Sequence, residues 1–254
     1  MVYNEISTQT LRVLKAKSNV LAMEKGKKSK IFEAIVEEYI KSANPVGSTL
    51  IVDKYFSDIS SATVRNYMVE LENEGLICQP YTSAGRIPTE LGYQYYVNNI
   101  LDKSSVTGKE KNILDELVKK IKDRDQIKIL AKELAGLSSE AVLIGFGPND
   151  VYYTGISNLF SQPEFSRQAQ VFSMSEIIDH LDEVMEKIFT KIEDEVEILI
   201  GQNNPFGEMS SVVLSKYDFC GDDILLGILG PMRMNYQQSV ALIEYSKEIL
   251  KKKK

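Results

Sequence analysis

Apolar positions in the first hundred residues follow the period of short amphipathic helices. In KIFEAIVEEYIKS, apolar side chains recur every three to five residues on one face, which predicts a helix with Ser29 as its N-terminal cap. The Asn44-Pro45 pair ends this helix, because proline disfavours helical geometry in the residue before it. Two more helices follow, STLIVDKYF capped by Ser48 and SSATVRNYMVELEN capped by Ser60. Three short helices in this order are the layout of a helix-turn-helix protein.

The segment after the third helix predicts a hairpin that leads into a fourth helix. Gly75 closes the third helix in left-handed geometry, LICQP is predicted as a strand and YTSAGR as a turn. The return strand begins at IP, where Pro88 indicates an exposed strand end, and Thr89 caps ELGYQYYVNNIL. Three helices, a strand, a turn and a strand form a winged helix, which we expect over residues 29–103.

The second half of the chain predicts a connecting helix and then a mixed unit of strands and helices. Residues 104–137 carry the apolar stripe of a long amphipathic helix, broken or bent near KDRDQ. The stripe could pack within its own domain or against a second copy, and both alternatives stay open. From residue 138 onward, the order of strand-like and helical runs predicts an α+β fold with an antiparallel sheet. The runs are EAVLIGFG, DVYYTGI, the helical EIIDHLDEVMEKIFTKI, EVEILIGQ, SSVVLSKYDF, ILLGILG and the helical QQSVALIEYSKEIL.

Composition argues against several classes of protein. A chain of 254 residues suits two domains. It has neither a run of 18 apolar residues nor a secretion signal, so we expect a cytoplasmic protein. Cys78 and Cys220 lie outside any C-x-x-C motif and are predicted as buried free thiols. His180 has no obvious partner, and no metal cluster or glycine-rich phosphate loop is evident, so we expect neither an enzyme nor a cofactor.

The net charge of −6 at first argues against nucleic acid as a partner. Residues 1–103, however, hold 12 Lys and Arg against 12 Asp and Glu, so the whole deficit lies in the remainder. A neutral DNA-binding domain works if its cations gather on one face. Residues 1–28 are predicted as an arm or linker, whose basic KGKKSK run either contacts phosphates or is simply solvated.

The third predicted helix carries the kinds of side chain that DNA recognition needs. Arg65 can pair with a guanine and Asn66 with an adenine, each through two hydrogen bonds. Ser61 and Thr63, near the helix N-terminus, suit phosphate or base contacts. The glutamates in the second half of the helix oppose DNA binding. A salt bridge from Arg65 to one of them is the alternative, since surface ion pairs are common.

The turn of the hairpin supplies a second polar group. Thr82 and Ser83 either contact DNA or only serve the turn, which favours serine and threonine anyway. Arg86 follows the glycine of the turn, where a long cation can reach a phosphate or the minor groove, so we expect it to contact DNA. Ser48 and Thr49, at the start of the second helix, complete this set of expected contacts.

Four stretches of the chain resemble the bacterial heat-inducible transcription repressor family, HrcA. They are AIVEEYIKSANPVGS, SSATVRNYMVELENEGLICQPYTSAGRIPTELGYQYYV, GISNLFSQPEF and LGILGPMRMNYQQSV. The resemblance implies a winged-helix domain and, over residues 138–254, a GAF-like domain. It also implies a repressor of chaperone operons that binds an inverted-repeat operator called CIRCE and is kept active by the GroE chaperonin. An inverted repeat requires a two-fold protein, so we expect a homodimer.

The chain departs from this family in two respects. The family pattern usually has histidine where this chain has Tyr81, whose hydroxyl can still reach a phosphate. Family members are also usually much longer, with a dimerising segment inserted into the GAF-like domain. Here VLIGFG runs through PND almost directly into VYYTGISNLF. The dimer interface is therefore unassigned, and the helix over 104–137 and the GAF-like faces are its candidates.

Two stretches of the GAF-like domain allow other interpretations. The polar loop GQNNPFGEMSSVV, with Gly201 and Gly207, could line a small-molecule pocket, although loop chemistry explains it equally well. Arg233, in GPMRMNY, is predicted to lie in a strand-to-helix turn within a hydrogen-bond network rather than in a ligand site. The alternative function is therefore a winged-helix repressor whose GAF-like pocket senses a metabolite.

Overall fold

The computed structural model describes residues 26–102, 105–219 and 221–252. We call residues 26–102 the head and the rest of the described chain the body. The predicted arm lies outside the described residues except for its last three positions, and so does Cys220. No helix in the described part is long and apolar enough to cross a membrane.

The head contains the helices and the hairpin in the order that the sequence predicts. Its elements are α1 (Lys27–Ser42), α2 (Ser48–Tyr55), α3 (Ser61–Asn73), β1 (Ile77–Cys78), β2 (Ile87–Pro88) and α4 (Glu90–Asn99). The predicted apolar face of α3 is buried, with Val64, Met68 and Leu71 packed inside the head. Gly75 ends this helix with a φ of +75°, the left-handed geometry expected of it.

Two of the four predicted helix caps are confirmed. The hydroxyls of Ser60 and Thr89 accept hydrogen bonds from backbone N–H groups in the first turns of α3 and α4. Ser29 lies inside α1 and Ser48 is already the first residue of α2, because an extended glycine precedes each of these helices and takes the cap position. Pro88 is not an exposed strand end, since α1 and α4 pack over β2 and bury it.

The connecting segment is two helices rather than one. These are α5 (Gly108–Lys120) and α6 (Arg124–Ser138), which separate at the predicted break. Asp123 caps α6 and so fixes the bend. The apolar stripe, including Leu114 and Leu130, is buried against the last helix and the sheet of the body. Of the two alternatives for this stripe, the structure shows the intramolecular one.

The body is a five-stranded antiparallel sheet between two layers of helices. The strands lie in the order β4-β3-β7-β6-β5. Helices α6 and α10 cover one face, and α7 and α9 contact the other. Because both faces are covered, β6 and β7 are buried along most of their length. The elements are β3 (Ala141–Gly147), β4 (Asp150–Thr154), α7 (Ile156–Phe160), α8 (Gln168–Asp179), α9 (Leu181–Phe189), β5 (Glu197–Ile200), β6 (Ser210–Phe219), β7 (Asp222–Pro231) and α10 (Tyr236–Lys251).

The mixed helical and antiparallel fold agrees with the sequence, with two local differences. The helix predicted over EIIDHLDEVMEKIFTKI is divided at His180 into α8 and α9. The short helix α7 and the 3-10 turn Pro163–Phe165 after it were not predicted. Both lie on the sheet face opposite α10.

A single apolar cluster extends from the head into the body. Phe32 and Leu71 of the head belong to the same packed set of buried side chains as Ile228 and Tyr236 of the body. At the joint, the ring centroids of Tyr93 and Tyr236 lie 6.0 Å apart. The two parts therefore share one hydrophobic core across the boundary predicted at residue 103.

Candidate nucleic-acid interface

One face of α3 is open to solvent and carries both residues that the sequence predicts as base readers. Arg65 and Asn66 are exposed, whereas Val64 and Met68 beside them point into the head. Neither exposed side chain forms a hydrogen bond or an ion pair with any residue that the structure describes. The alternative in which Arg65 pairs with a glutamate of its own helix is not realised. Both side chains keep their donors for a ligand.

The hydroxyl groups of Ser60 and Thr63 at the start of α3 are engaged in the helix cap. The Ser60 hydroxyl accepts a hydrogen bond from the backbone N–H of Thr63 at 3.1 Å, and its oxygen lies 3.0 Å from the Thr63 hydroxyl. Ser61 is half-buried. The cap fixes the first turn, whose remaining unpaired backbone N–H groups favour an anion such as phosphate.

The carboxylates that oppose DNA binding are all paired with cations of the head. Lys28 Nζ lies 2.7 Å from Glu74 Oε1 and 3.5 Å from Glu70 Oε2. The hydrogen bond to Glu74 raises the pKa of Lys28 above its ordinary value. Arg86 Nη2 lies 2.9 Å from Glu72 Oε2. These pairs offset the negative charge beside the open face of α3.

The tip of the hairpin is exposed and its base is packed tightly. Tyr81, Thr82 and Ser83 are exposed, and Ser83 adopts a φ of +67°. Gly85 sits so close to the backbone that a Cβ there would lie 2.5 Å from the carbonyl of Val46. Only glycine permits this close approach. The tight packing fixes the base of the hairpin, so that Tyr81, Thr82 and Ser83 are held at its exposed tip.

Arg86 is held against the head instead of extending from the turn. Its backbone exchanges two hydrogen bonds of 2.9 Å with Val46. Its Nε donates to Glu72 Oε2 at 3.0 Å, and its side chain is only 17% exposed. The contact with phosphate or minor groove that the sequence suggests requires this ion pair to open.

The other expected contacts differ in accessibility, and one further residue shares the open face. Ser48 is only 8% exposed, so its hydroxyl offers little surface, whereas Thr49 beside it is exposed. Val69 lies one turn beyond Arg65 and is 47% exposed. Its spacing of four residues from Arg65 could have identified it. An exposed aliphatic side chain at such a position can contact the methyl group of thymine.

Cys78 and His180 lie on other elements, β1 and the junction of α8 and α9. Cys78 is a half-buried free thiol, and burial raises its pKa. His180 is exposed at the junction of α8 and α9, with its Nδ1 3.3 Å from Glu183. No three His, Cys, Asp or Glu side chains in the described ranges are grouped in a way that could hold a metal ion.

The polar loop after β5 is explained by its own hydrogen bonds. The buried Asn204 side chain donates to the Ser210 hydroxyl at 2.8 Å and accepts from the backbone N–H of Phe206 at 3.2 Å. Gly201 and Gly207 have φ values of +60° and +104°, which suit tight turns. Beneath the loop, side chains of the sheet and of α9 pack without space for a water molecule. The turn interpretation therefore fits better than a pocket.

Arg233 lies, as the sequence predicts, in the turn between β7 and α10 and within a hydrogen-bond network. Its Nε donates to Glu164 Oε1 at 2.5 Å and its Nη2 to Gln162 Oε1 at 2.6 Å. Its Nη1 donates to the backbone carbonyl of Ile40 at 3.1 Å. The first two partners belong to the body and the third to α1 of the head.

The chain is similar to known proteins along most of its length. A family model described as the HrcA protein C terminal domain matches residues 60–240. A heat-inducible transcription repressor HrcA from Carboxydothermus hydrogenoformans is 27% identical over 329 aligned positions, which cover 88% of this chain and 96% of that protein. A repressor of the same name from Desulfitobacterium hafniense is 42% identical over 124 positions, covering 48% of this chain and 36% of that protein.

The longer alignment also bears on the expected missing segment. Its 329 positions exceed the 254 residues of this chain, so the relative contains residues without a counterpart here. In this chain β3 and β4 are joined by a short turn from Gly147 to Asp150.

A solved structure described as a hypothetical protein at 2.2 Å resolution has the same fold. Its TM-score is 0.71 at 19% identity, covering 89% of this chain and 97% of that one. At this identity the likeness speaks for the fold alone. Because the family model spans well over half of its residues, the chain belongs to the HrcA family.

Proposed function

We propose that the chain is a transcription repressor that binds operator DNA through the open face of α3. The observation that carries this function is the free pair of Arg65 and Asn66 on a helix whose neighbouring carboxylates are all paired. Relatives named heat-inducible transcription repressors support this function, and repression of transcription implies double-stranded DNA as the partner. In this proposal the head is a winged-helix domain, the body a GAF-like domain, and the protein a cytoplasmic regulator rather than an enzyme.

Each residue of the open face has a distinct role in this proposal. Arg65 donates two hydrogen bonds to a guanine and Asn66 pairs with an adenine, which discriminates sequence. Val69 contacts a thymine methyl group one helical turn away. Ser61 and Thr63 lie where the first turn of α3 meets a phosphate.

The hairpin supplies contacts that hold the head on the duplex without reading bases. The exposed hydroxyls of Tyr81, Thr82 and Ser83 donate to phosphate oxygens, and Thr49 does so from α2. Such contacts position a protein but carry no sequence information. Arg86 acts chiefly through Glu72 by fixing the hairpin against α3.

The operator and the regulator follow from the family resemblance. An inverted repeat presents the same surface twice, so the repressor would bind it as a homodimer. The target genes are chaperone operons, and the GroE chaperonin is the partner that keeps the repressor active. Because the stripe on α5 and α6 is buried within the body, the dimer contact would use other surfaces.

A metabolite-sensing repressor is the alternative function, but the described side chains around the loop with Gly201 and Gly207 do not favour a pocket there. The loop with Gly201 and Gly207 is closed by its own hydrogen bonds, and the sheet face below it is filled. A thermal-shift screen against metabolites distinguishes this alternative, because a specific ligand would raise the melting temperature.

A mobility-shift titration tests the proposed function. The full chain would be mixed with an inverted repeat from a chaperone promoter and, separately, with a scrambled duplex of equal composition, at several salt concentrations. We expect the repeat to bind at least about 10³-fold more tightly. Both affinities should fall steeply with salt, because phosphate contacts release counterions. Equal affinity for the two duplexes would rule out the proposal.

A further inference from the structure

The joint between head and body contains an unusual group of buried polar side chains. Glu140 Oε2, Glu164 Oε2 and the Tyr93 hydroxyl are buried without a hydrogen-bond partner among the described residues. Burial raises the pKa of both Tyr93 and Glu140, and the charges of Glu164 and Arg233 act on both groups. Glu164 and Arg233 thus lie within electrostatic range of both other side chains. Unpaired buried polar atoms lower stability, so a group of them suggests a role other than packing.

The guanidinium of Arg233 carries the hydrogen bonds that join this group to the head. Its three bonded donors point to three separate partners, the side chains of Glu164 and Gln162 and the backbone carbonyl of Ile40. The Ile40 carbonyl lies in the last turn of α1, where helix carbonyls have no partner within the helix and carry partial negative charge. The planar guanidinium directs its donors at fixed angles and so fixes the angle between such partners. The ammonium group of a lysine does not have this effect.

A second contact complements the arginine on another side of the joint. Glu90, the first residue of α4, accepts a hydrogen bond from the backbone N–H of Gln202 at 3.2 Å. Its carboxylate lies against Gly201 so closely that a Cβ on that glycine would lie 2.3 Å from Glu90 Cδ. Two separate attachment points, together with the shared apolar cluster, define the angle of the head and not only its distance from the body.

We propose that Arg233 is a positioning residue that holds the DNA-binding head at a fixed angle on the body and thereby sets which half-site spacing a dimer accepts. This inference rests on the proposed function. In a dimer, the second head binds at an effective concentration that depends on how narrowly the connection restricts it. A rigid joint favours one spacing strongly. A loosened joint accepts several spacings and binds the best one less tightly.

The test compares Arg233→Met with the wild-type chain on duplexes that the wild type selects from a random pool. The affinities are compared with those for duplexes whose two half-sites are one or two base pairs closer together or further apart, and for a duplex with a single half-site. We expect Arg233→Met to bind the selected duplex about tenfold more weakly and to lose most of its spacing preference, because the second head is less restricted. Half-site affinity should stay unchanged. Arg233→Lys should recover only part of the preference, because lysine lacks the planar guanidinium.

Arg124→Met is the matched control, because Arg124 pairs with Asp150 and Asp222 at the far end of the sheet. It should leave the spacing preference unchanged. The inference is wrong if Arg233→Met keeps the wild-type preference, or if its half-site affinity falls by the same factor as its affinity for the full duplex. The second result would show that Arg233 only supports the fold of the head.

A measurement without DNA separates this inference from the proposed function. Spin labels at positions 53 and 179, one on the head and one on the body, would report the distribution of distances between the two parts. Cys78 and Cys220 would be replaced by serine in all samples. We expect a broader distribution in Arg233→Met than in wild type or Arg124→Met. An unchanged width would contradict a positioning role even if the chain proved not to bind DNA.

Discussion

The open face of α3 and the joint around Arg233 use arginine in opposite ways. Arg65 is exposed, and no described residue takes its donors. Arg233 is 12% exposed and donates to three partners within the protein. The chemical group is the same in both places. What differs is whether the donors of the guanidinium already have hydrogen-bond partners within the protein. An arginine without such partners is available to a ligand, whereas one with them holds parts of the molecule in place.

The largest effect we predict is at the joint and concerns pH. Burial raises the pKa of Glu140 from 4.5 to about 8. Between these values the folded chain retains a proton that the unfolded chain has released, so the free energy of unfolding should fall as pH rises through this window and level off above it. The slope from this group is at most about 1.4 kcal/mol per pH unit. Its surroundings include Arg233, which opposes the shift, and Glu164, which adds to it.

Glu140→Gln tests this pH dependence, because glutamine has nearly the same shape and no proton to release. Urea unfolding at several pH values from 5 to 8.5 should show a flatter profile for the variant and greater stability than wild type near pH 8. Glu176→Gln, on the exposed surface of α8, is the control and should reproduce the wild-type slope. A wild-type slope in Glu140→Gln would mean that this carboxyl is ionised throughout.

The second-largest effect concerns the open face of α3 and should change DNA binding without changing stability. Arg65→Ala should reduce discrimination between the operator and a scrambled duplex by about 1–3 kcal/mol, the contribution of a bidentate base contact. Its melting temperature should stay near that of wild type, because the exposed side chain forms no hydrogen bond or ion pair with a described residue. Mobility-shift titrations and thermal unfolding measure the two quantities. A lower melting temperature together with unchanged discrimination between the two duplexes would show that Arg65, like Arg233, has a structural role.

The smallest effect tests the intermediate case, Arg86, whose guanidinium is paired but lies near the proposed DNA surface. A double-mutant cycle of Arg86→Met and Glu72→Gln should give a coupling free energy for unfolding of about 0.2–1 kcal/mol, as expected for a pair at the edge of a protein. If Arg86 contacts DNA after all, Arg86→Met should also make binding less dependent on salt. If the salt dependence is unaltered, Arg86 has only the structural role of its ion pair with Glu72.

The sequence predicted best those features that depend on neighbouring residues. The buried face of α3 follows from helical periodicity, and the cap at Ser60 from the chemistry of a hydroxyl at a helix start. The break between α5 and α6 was also visible in the pattern. The caps expected at Ser29 and Ser48 were wrong, because glycine takes the cap position in both helices and gives no side-chain signal.

Contacts between distant residues could not be predicted in this way. Glu72 precedes its partner Arg86 by 14 residues, and the Ile40 carbonyl precedes Arg233 by 193. Periodicity describes one element at a time and says nothing about which elements meet. The sequence therefore placed Arg233 in a hydrogen-bond network but could not show that the network reaches the head. For Arg86, the sequence predicted a DNA contact, which stays a prediction, and could not show the ion pair with Glu72.

The continuous apolar cluster has a consequence for how the protein responds to heat. Phe32 of the head and Ile228 of the body belong to one cluster of buried side chains, so melting of either part would remove packing from the other. We therefore expect one cooperative transition in calorimetry instead of two. We expect no intermediate in which the head stays folded while the body is unfolded. The fraction of promoter DNA that is bound would therefore fall over a narrow temperature range rather than gradually.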